Sequence, residues 1–274
     1  MIARADALAA LDRDTFDIVV VGGGITGAGV AFDAATRGYS VALVEREDFA
    51  SGTSSRSSKL IHGGLRYLQN FDLGLVREAL LERSILVNLA PHLVRPLPLL
   101  VSSFEGKRPD RMLGMGLNMY DRMARELKRP GRRGRDPFMD EEDWSPEKHR
   151  IIEGDEVREL LPALASREPT AAYLFYDCQT DDVRLVLTVL AEAERFGAVA
   201  VNGVEAFSLL EEGGRAVGAR VRDAESGAEL EVRAANVVNA TGVWADRLRP
   251  EELHDEAEVP VIRPSRGTHI ILER

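Results

Sequence analysis

Apolar positions change period repeatedly along the chain, and each change predicts an element. Asp17 to Val21 is a short β-branched run, the mark of a buried parallel strand, and it stops at Gly22-Gly23-Gly24. From Ile25 to Thr36 the small and apolar residues Ala28, Val30, Ala31, Ala34 and Ala35 suit a helix pressed on a sheet, and Gly38 is placed to cap it. Tyr39 to Val44 reverts to strand. Before all of these, Met1 to Thr15 is a helix-prone leader that either packs outside the first strand or stays loose.

Downstream, Phe71 to His92 carries Leu75, Val76, Ala79, Leu80, Ile85, Leu86 and Leu89 on one side of an amphipathic helix. Pro91, Pro96 and Pro98 end it, so LVRPLPLLVS enters as an extended segment. Met112 to Leu127 predicts another helix with methionines as core filler, and Asp155 to Leu161 a short one before Pro162. AAYLFYDC predicts a strand returning to the first sheet. A helix capped by Asp181 or Asp182 follows, and after Gly197 a strand over Ala198 to Asn202. Asp177 and Asp182 read as a loop staple and a helix cap, and Cys178 as buried. Val204 to Arg233 alternates strand and turn, with turns at Gly213-Gly214 and Glu225-Ser226-Gly227, which predicts a three-stranded antiparallel meander. Asn236 to Asp246 reads as a separate buried strand ending at Thr241-Gly242, with Trp244 as packing, and Val259 to Arg274 as the opening of a further sheet.

The chemistry starts at the first turn. Gly22, Gly24 and Gly27 have the G-x-G-x-x-G spacing. The first glycine permits the turn, the second admits a pyrophosphate close to the backbone, and the third lets helix and strand pack tightly. The unpaired N–H groups at the helix start, from Ile25 and Thr26 onward, and the positive end of its dipole then face the phosphates. Glu45 closes the second strand at roughly the ~20-residue distance where an acid meets a ribose hydroxyl pair, which disfavours a 2′-phosphate. The motif does not separate FAD from NAD, since both carry the same adenosine diphosphate half. The antiparallel meander favours FAD, because a simple NAD-binding domain does not require it.

The 274 residues suggest about two domains. A net charge of −10 argues against a nucleic-acid partner, with Arg122 to Arg135 a local basic exception open to a solvated-loop or a headgroup-binding reading. The single cysteine excludes an internal disulfide and fits a reducing compartment; no metal site is predicted. No apolar run approaches the ~20 residues that span a bilayer, and the N-terminus lacks a signal-peptide core, so a cytoplasmic protein, peripheral to a membrane at most, is expected.

Asp48 to Leu68, DFASGTSSRSSKLIHGGLRYL, is more than a serine-rich linker. Its hydroxyls run into Lys59, His62, Gly63, Gly64, Arg66 and Tyr67, a composition suited to a loop wrapped on a polar ligand. GGGITGAG, SSRSSKLIHGGLRYL, YDCQTDDVRLVL and NATGVWAD together resemble the FAD-dependent, quinone-linked glycerol-3-phosphate dehydrogenases, from about Asp17 to the end of the chain. The resemblance implies an α/β, Rossmann-like FAD-binding fold of the two-dinucleotide-binding-fold type over 14–80 and 167–258. It also implies a mostly helical insertion over 81–166 and the beginning of an antiparallel substrate sheet at 259–274. Thr53, Ser54, Ser58, Lys59, Leu60, His62 and Gly63 become cofactor-side residues, joined by Arg46, Val204, Ala240, Thr241 and Gly242. Arg66 and Tyr67 face the substrate phosphate, where a guanidinium fork and a phenol suit a dianion. Taken alone, Arg66 reads as a surface salt bridge.

His269 becomes a substrate-binding or proton-accepting residue, imidazole's ordinary pKa near 6.5 suiting that task. The implied reaction is oxidation of glycerol-3-phosphate to dihydroxyacetone phosphate with electrons passed to quinone. A related oxidase using oxygen, on the same substrate or an amine, and a non-catalytic FAD-binding piece stay open, as do peripheral membrane association and a homo-oligomer. The family's chains are longer, so a partial chain with an exposed terminal strand edge and weak stability is expected.

Overall fold

The computed structural model describes residues 3–65, 67, 72–126, 147–248, 262–265, 267, 268 and 270. Helix α1 (Arg4–Arg13) is followed by strand β1 (Thr15–Val21), helix α2 (Ile25–Thr36) and strand β2 (Val41–Val44). After a 3-10 turn at Thr53–Ser55 come β3 (Leu60–Ile61), α3 (Leu73–Leu89), β4 (Arg95–Ser103) and α4 (Arg111–Glu126). β5 (Arg150–Glu153), α5 (Gly154–Leu160) and β6 (Ala171–Gln179) follow. α6 (Asp182–Arg195), β7 (Val199–Val201), β8 (Val204–Glu212), β9 (Arg215–Asp223) and β10 (Glu229–Asn239) complete the series. Two compact units result, one of residues 1–57 and 182–274, the other of residues 58–181.

In the first unit the strand order is β7-β2-β1-β10-β9-β8. β7, β2, β1 and β10 are parallel, while β9 pairs antiparallel with β10 and β8 antiparallel with β9. Alternation along β1 makes this a three-layer arrangement. Val19 and Val21 belong to a core shared with Ala7 and Leu11 of α1, whereas Val20 belongs to one shared with α2 and α6. α1 is therefore a packed element, with Ala7 and Leu11 fully buried. Alanines at 28, 31, 34 and 35 let α2 lie close on the sheet, and Gly38, at φ 87°, follows its end as the residue that supplies a left-handed cap.

Two strand expectations change here. β10 is one continuous strand, not a meander strand followed by a separate buried one. Glu229–Arg233 pairs antiparallel with β9, and the stretch from Arg233 to Asn239 pairs parallel with β1. The second stretch was expected to begin at the polar Asn236, but pairing with β1 carries the strand through it. β6, expected in the nucleotide sheet, instead organises the second unit, where β3, β4 and β5 all pair with it antiparallel. Only α6 and β7 return to the first sheet.

The division of the chain accordingly differs from the expected 14–80, 81–166 and 167–258. β4 and β5 also add sheet to a region expected to be mostly helical. β4 is the segment expected to be extended, here paired along its length with β6; its prolines at 96 and 98, spaced two apart, put their missing N–H groups on one side of the strand, as an edge position tolerates. The expected opening of a further sheet at 259–274 lies largely outside the described residues.

The inward face of α3 is Val76, Leu80, Arg83 and Val87, while Leu75 and Leu89 of the expected stripe are exposed at 40% and 73%. An arginine holds an inward position because Asp177 of β6 meets it there. On α4, Met119 and Met123 pack inward as expected, but Met112 and Met115 are exposed.

Candidate functional site

The carboxyl ends of β1, β2 and β10 meet at the glycine turn. Gly22 N donates to Val44 O (2.9 Å) and Ala240 N donates to Val21 O (2.8 Å), so three strand ends are tied together. Gly22 sits at φ 111°, and a Cβ there would lie 2.5 Å from Ala240 O. At Gly27 a Cβ would stand 1.9 Å from Gly22 O, which is the close helix-to-turn packing that the third glycine of the spacing permits. Gly24 is the residue before the first turn of α2, and its Cβ position meets only Ser54 Oγ, at 3.1 Å.

Two side chains already engage this turn. Ser54 Oγ accepts from Ile25 N (2.9 Å), satisfying one of the otherwise unpaired amides at the start of α2. Glu45 accepts from Gly23 N (2.7 Å) with one oxygen and from Glu47 N (2.9 Å) with the other. The carboxylate is thus fixed at the end of β2, and its remaining lone pairs are available to hydroxyl donors.

Around the turn lies a cleft of about 560 Å³, in the range of small-molecule sites. Its lining includes twelve of the residues expected on the cofactor side: Gly22, Gly24, Ile25, Thr26, Glu45, Arg46, Thr53, Ser54, Val204, Ala240, Thr241 and Gly242. Gly27 stands behind it, against the turn. Ser51 of the expected hydroxyl-rich loop lines it too, and sequence reasoning missed Glu47, Trp244, Arg247 and Ile262, which also line it. The Arg46 guanidinium carbon lies 5.5 Å from the centre of the Trp244 ring, and a Cβ at Gly52 would stand 3.1 Å from Trp244 Cζ3, so Trp244 is a wall of the cleft as well as packing. No local signal marks Trp244, Arg247 and Ile262, which follow β10 and come to the cleft because that strand pairs with β1. Bare glycines, helix-start amides and a fixed carboxylate in one cleft fit the adenosine diphosphate half of a dinucleotide.

Ser58, Lys59, Leu60, His62 and Gly63 belong to the second unit. Lys59 holds a left-handed backbone at φ 59°, unusual for a long side chain. Tyr67 is exposed at 39%, and Arg66 and His269 lie outside the described residues. Asp177 is buried and staples the loop through Gly63 N, and Asp182 accepts from Ser57 Oγ (2.8 Å) at the start of α6. Burial pushes the Cys178 thiol up to about 11, which removes it as a nucleophile near neutrality. Among the described residues no three His, Cys, Asp or Glu gather as metal ligands, and no helix is long and apolar enough to cross a membrane.

Residues 17–274 match the family described as DAO, FAD dependent oxidoreductase. The chain is 42% identical over 272 residues to a glycerol-3-phosphate dehydrogenase of Mycobacterium leprae, covering 99% of this chain and 43% of that protein. It is 34% identical to an alpha-glycerophosphate oxidase of Lactococcus lactis, covering 98% of this chain and 42% of the relative. Among solved structures, the glycerol-3-phosphate dehydrogenase of Bacillus halodurans complexed with FAD superimposes with a TM-score of 0.64 at 28% identity, over 93% of this chain and 38% of that one. The chain thus spans less than half the length of these relatives. With the family's match running from the first strand through the glycine turn to the last residue, the chain belongs to the FAD-dependent oxidoreductases.

Proposed function

We propose that this chain binds FAD in the cleft at Gly22–Gly27 and forms the cofactor-binding part of an enzyme that oxidises glycerol-3-phosphate to dihydroxyacetone phosphate. The observation that carries the cofactor is the turn itself, where a methyl group at Gly22 or Gly27 would meet backbone at 2.5 Å or less. The substrate rests on the 42% identity to a glycerol-3-phosphate dehydrogenase over nearly the whole chain. When bound, FAD supplies the acceptor for the hydride that leaves C2 of the substrate.

The chain's own residues do the rest. The amides at the start of α2 hold the pyrophosphate, Glu45 holds the ribose hydroxyls, and Thr53, Ser54 and the Ala240-Thr241-Gly242 strand end bound the cleft. By resemblance, Ser58, Lys59, Leu60, His62 and Gly63 serve the cofactor too. Arg66 and Tyr67 take the substrate phosphate, which orients C2, and His269 accepts or orients the hydroxyl proton as the carbonyl forms. Quinone is the proposed final electron acceptor, and the proposed location is the cytoplasm, peripheral to the inner face of the cytoplasmic membrane. The likeness to the Lactococcus lactis oxidase is the observation that favours oxygen as a second reading.

Anaerobic titration with glycerol-3-phosphate tests the proposal. The purified or reconstituted chain should be yellow, and the band should bleach in proportion to added substrate. Material that stays colourless with FAD overturns the cofactor, and a yellow chain that never bleaches overturns catalysis by this chain. Peroxide formed in air without added quinone would transfer the assignment to the oxidase.

A further inference from the structure

In the second unit a buried polar cluster lies beneath the His62-Gly63-Gly64 turn. Arg83 is 2% exposed, Asp177 4% and Tyr120 2%. Arg83 Nη1 pairs with Asp177 Oδ1, which also accepts from Tyr120 Oη (2.6 Å). Tyr120 Oη in turn accepts from Gly63 N (2.7 Å) and from Arg83 Nη1 (3.2 Å), so the single hydroxyl proton and both lone pairs are used. Burial pushes the Tyr120 phenol far up, so it stays a neutral donor to Asp177. A second link runs from Gly63 N to Asp177 Oδ1 at 3.4 Å, and Arg83 Nη1 also donates to Tyr176 O at 3.3 Å. A Cβ at Gly63 would stand 2.3 Å from Leu80 Cδ2 and 2.4 Å from Tyr120 Oη, so the turn can rest on this cluster only as glycine.

Above the cluster, Gly64 N donates to His62 Nδ1 (3.0 Å). A backbone amide can only donate, so Nδ1 must offer a lone pair, and a neutral ring accepting there carries its proton on Nε2. Gly63 and Gly64 are buried while the His62 side chain is exposed. Three buried groups that take no part in the proposed reaction thus converge on one turn, and that turn determines which imidazole nitrogen faces outward as a donor.

We propose that Arg83, Asp177 and Tyr120 are positioning residues that hold the His62-Gly63-Gly64 turn so that the exposed His62 ring presents Nε2–H as a hydrogen-bond donor to an electron-rich oxygen or nitrogen of a ligand. The ligand's identity rests on the function proposed above; the tautomer and its support do not.

Long-range proton–nitrogen correlation on the chain labelled with ¹⁵N-histidine tests this at about pH 8, above imidazole's ordinary range. The His62 signal is identified by its loss in His62→Gln. The wild type should show a single Nε2–H tautomer before any ligand is added, and Tyr120→Phe and Asp177→Asn should each convert it to a mixture. A role confined to stability would lower the melting temperature of these variants and leave the tautomer single. An Nδ1–H or mixed signal in the wild type overturns the proposal even if neither variant folds, and so does an unchanged signal in folded variants. FAD and then glycerol-3-phosphate are added in separate arms, and the arm in which Nε2 shifts identifies the acceptor. If FAD binds and neither arm shifts the signal, the donor assignment falls. A colourless chain with a single tautomer instead retains the positioning role and removes the flavin.

Discussion

One methyl group should have opposite effects at two glycines of α2. At Gly27 it would meet Gly22 O at 1.9 Å, and that obstacle is backbone, which cannot swing aside as the end of a flexible side chain could. Gly27→Ala should cost about 1–3 kcal/mol, the range for forcing extra volume into packed structure, and should abolish FAD retention because the turn itself must shift. At Gly29, two residues on, nothing lies within 4 Å of the added carbon. Gly29→Ala should gain about 0.5–1 kcal/mol from lower unfolded-state entropy and leave FAD binding unchanged. Thermal melts and flavin content of the two variants check both signs, and equal behaviour would show that the turn does not pack as described. The spacing of Gly22, Gly24, Gly27 and Glu45 was readable at this scale because each role is local, set by turn, helix start and strand end. Trp244, Arg247 and Ile262 were not, since their place in the cleft depends on which strands become neighbours.

Most helices and strands were readable from period and punctuation, and the failures share a cause, long-range pairing. β10 continues through polar positions because β1 accepts it, and β6 leaves the nucleotide sheet because β4 and β5 pair with it. At the β9–β10 turn, pairing also sets a charge. Asp223 is drawn down to about 2, first by the Ser226 hydroxyl (2.5 Å), then by the backbone amides of Glu225 and Ser226 and by Arg4 of α1. A carboxyl whose folded pKa lies below its ordinary value near 3.9 stabilises the fold fully above that value. The contribution is lost as pH falls from about 4 towards about 2. Asp223→Asn should therefore be less stable than the wild type at pH 7, with the gap closing on acidification through that window. Unfolding curves in urea at several pH values between about 2 and 7 measure it, and a gap independent of pH would show that the charge on Asp223 does no work at this turn.

For the whole molecule, length suggested about two domains but not where the parts divide. The divisions at 57/58 and 181/182 fall inside a hydroxyl run and an aspartate pair, neither of which has linker composition. A single cysteine offers a reporter for one of the two units. Cys178 is fully buried among Val87, Val94, Ile61, Leu86 and Leu93, with its thiol pushed up to about 11 by that burial. The thiolate is the form that attacks a disulfide reagent, and in the native chain the group is both scarce as an anion and shielded from contact. Labelling with a colorimetric disulfide reagent at pH 8 should run at least about 100-fold slower than for a free thiol and reach the free rate in denaturant. If the reaction passes through opening of the second unit, its rate should follow the opening equilibrium. Val94→Ala, a large-to-small change beside the sulfur, should then speed labelling about 30-fold, the equivalent of about 2 kcal/mol. A native thiol that reacts at the free rate would contradict the packing of β6, and a fast variant with an unchanged melting temperature would show that the gain is access to sulfur and not opening of the unit.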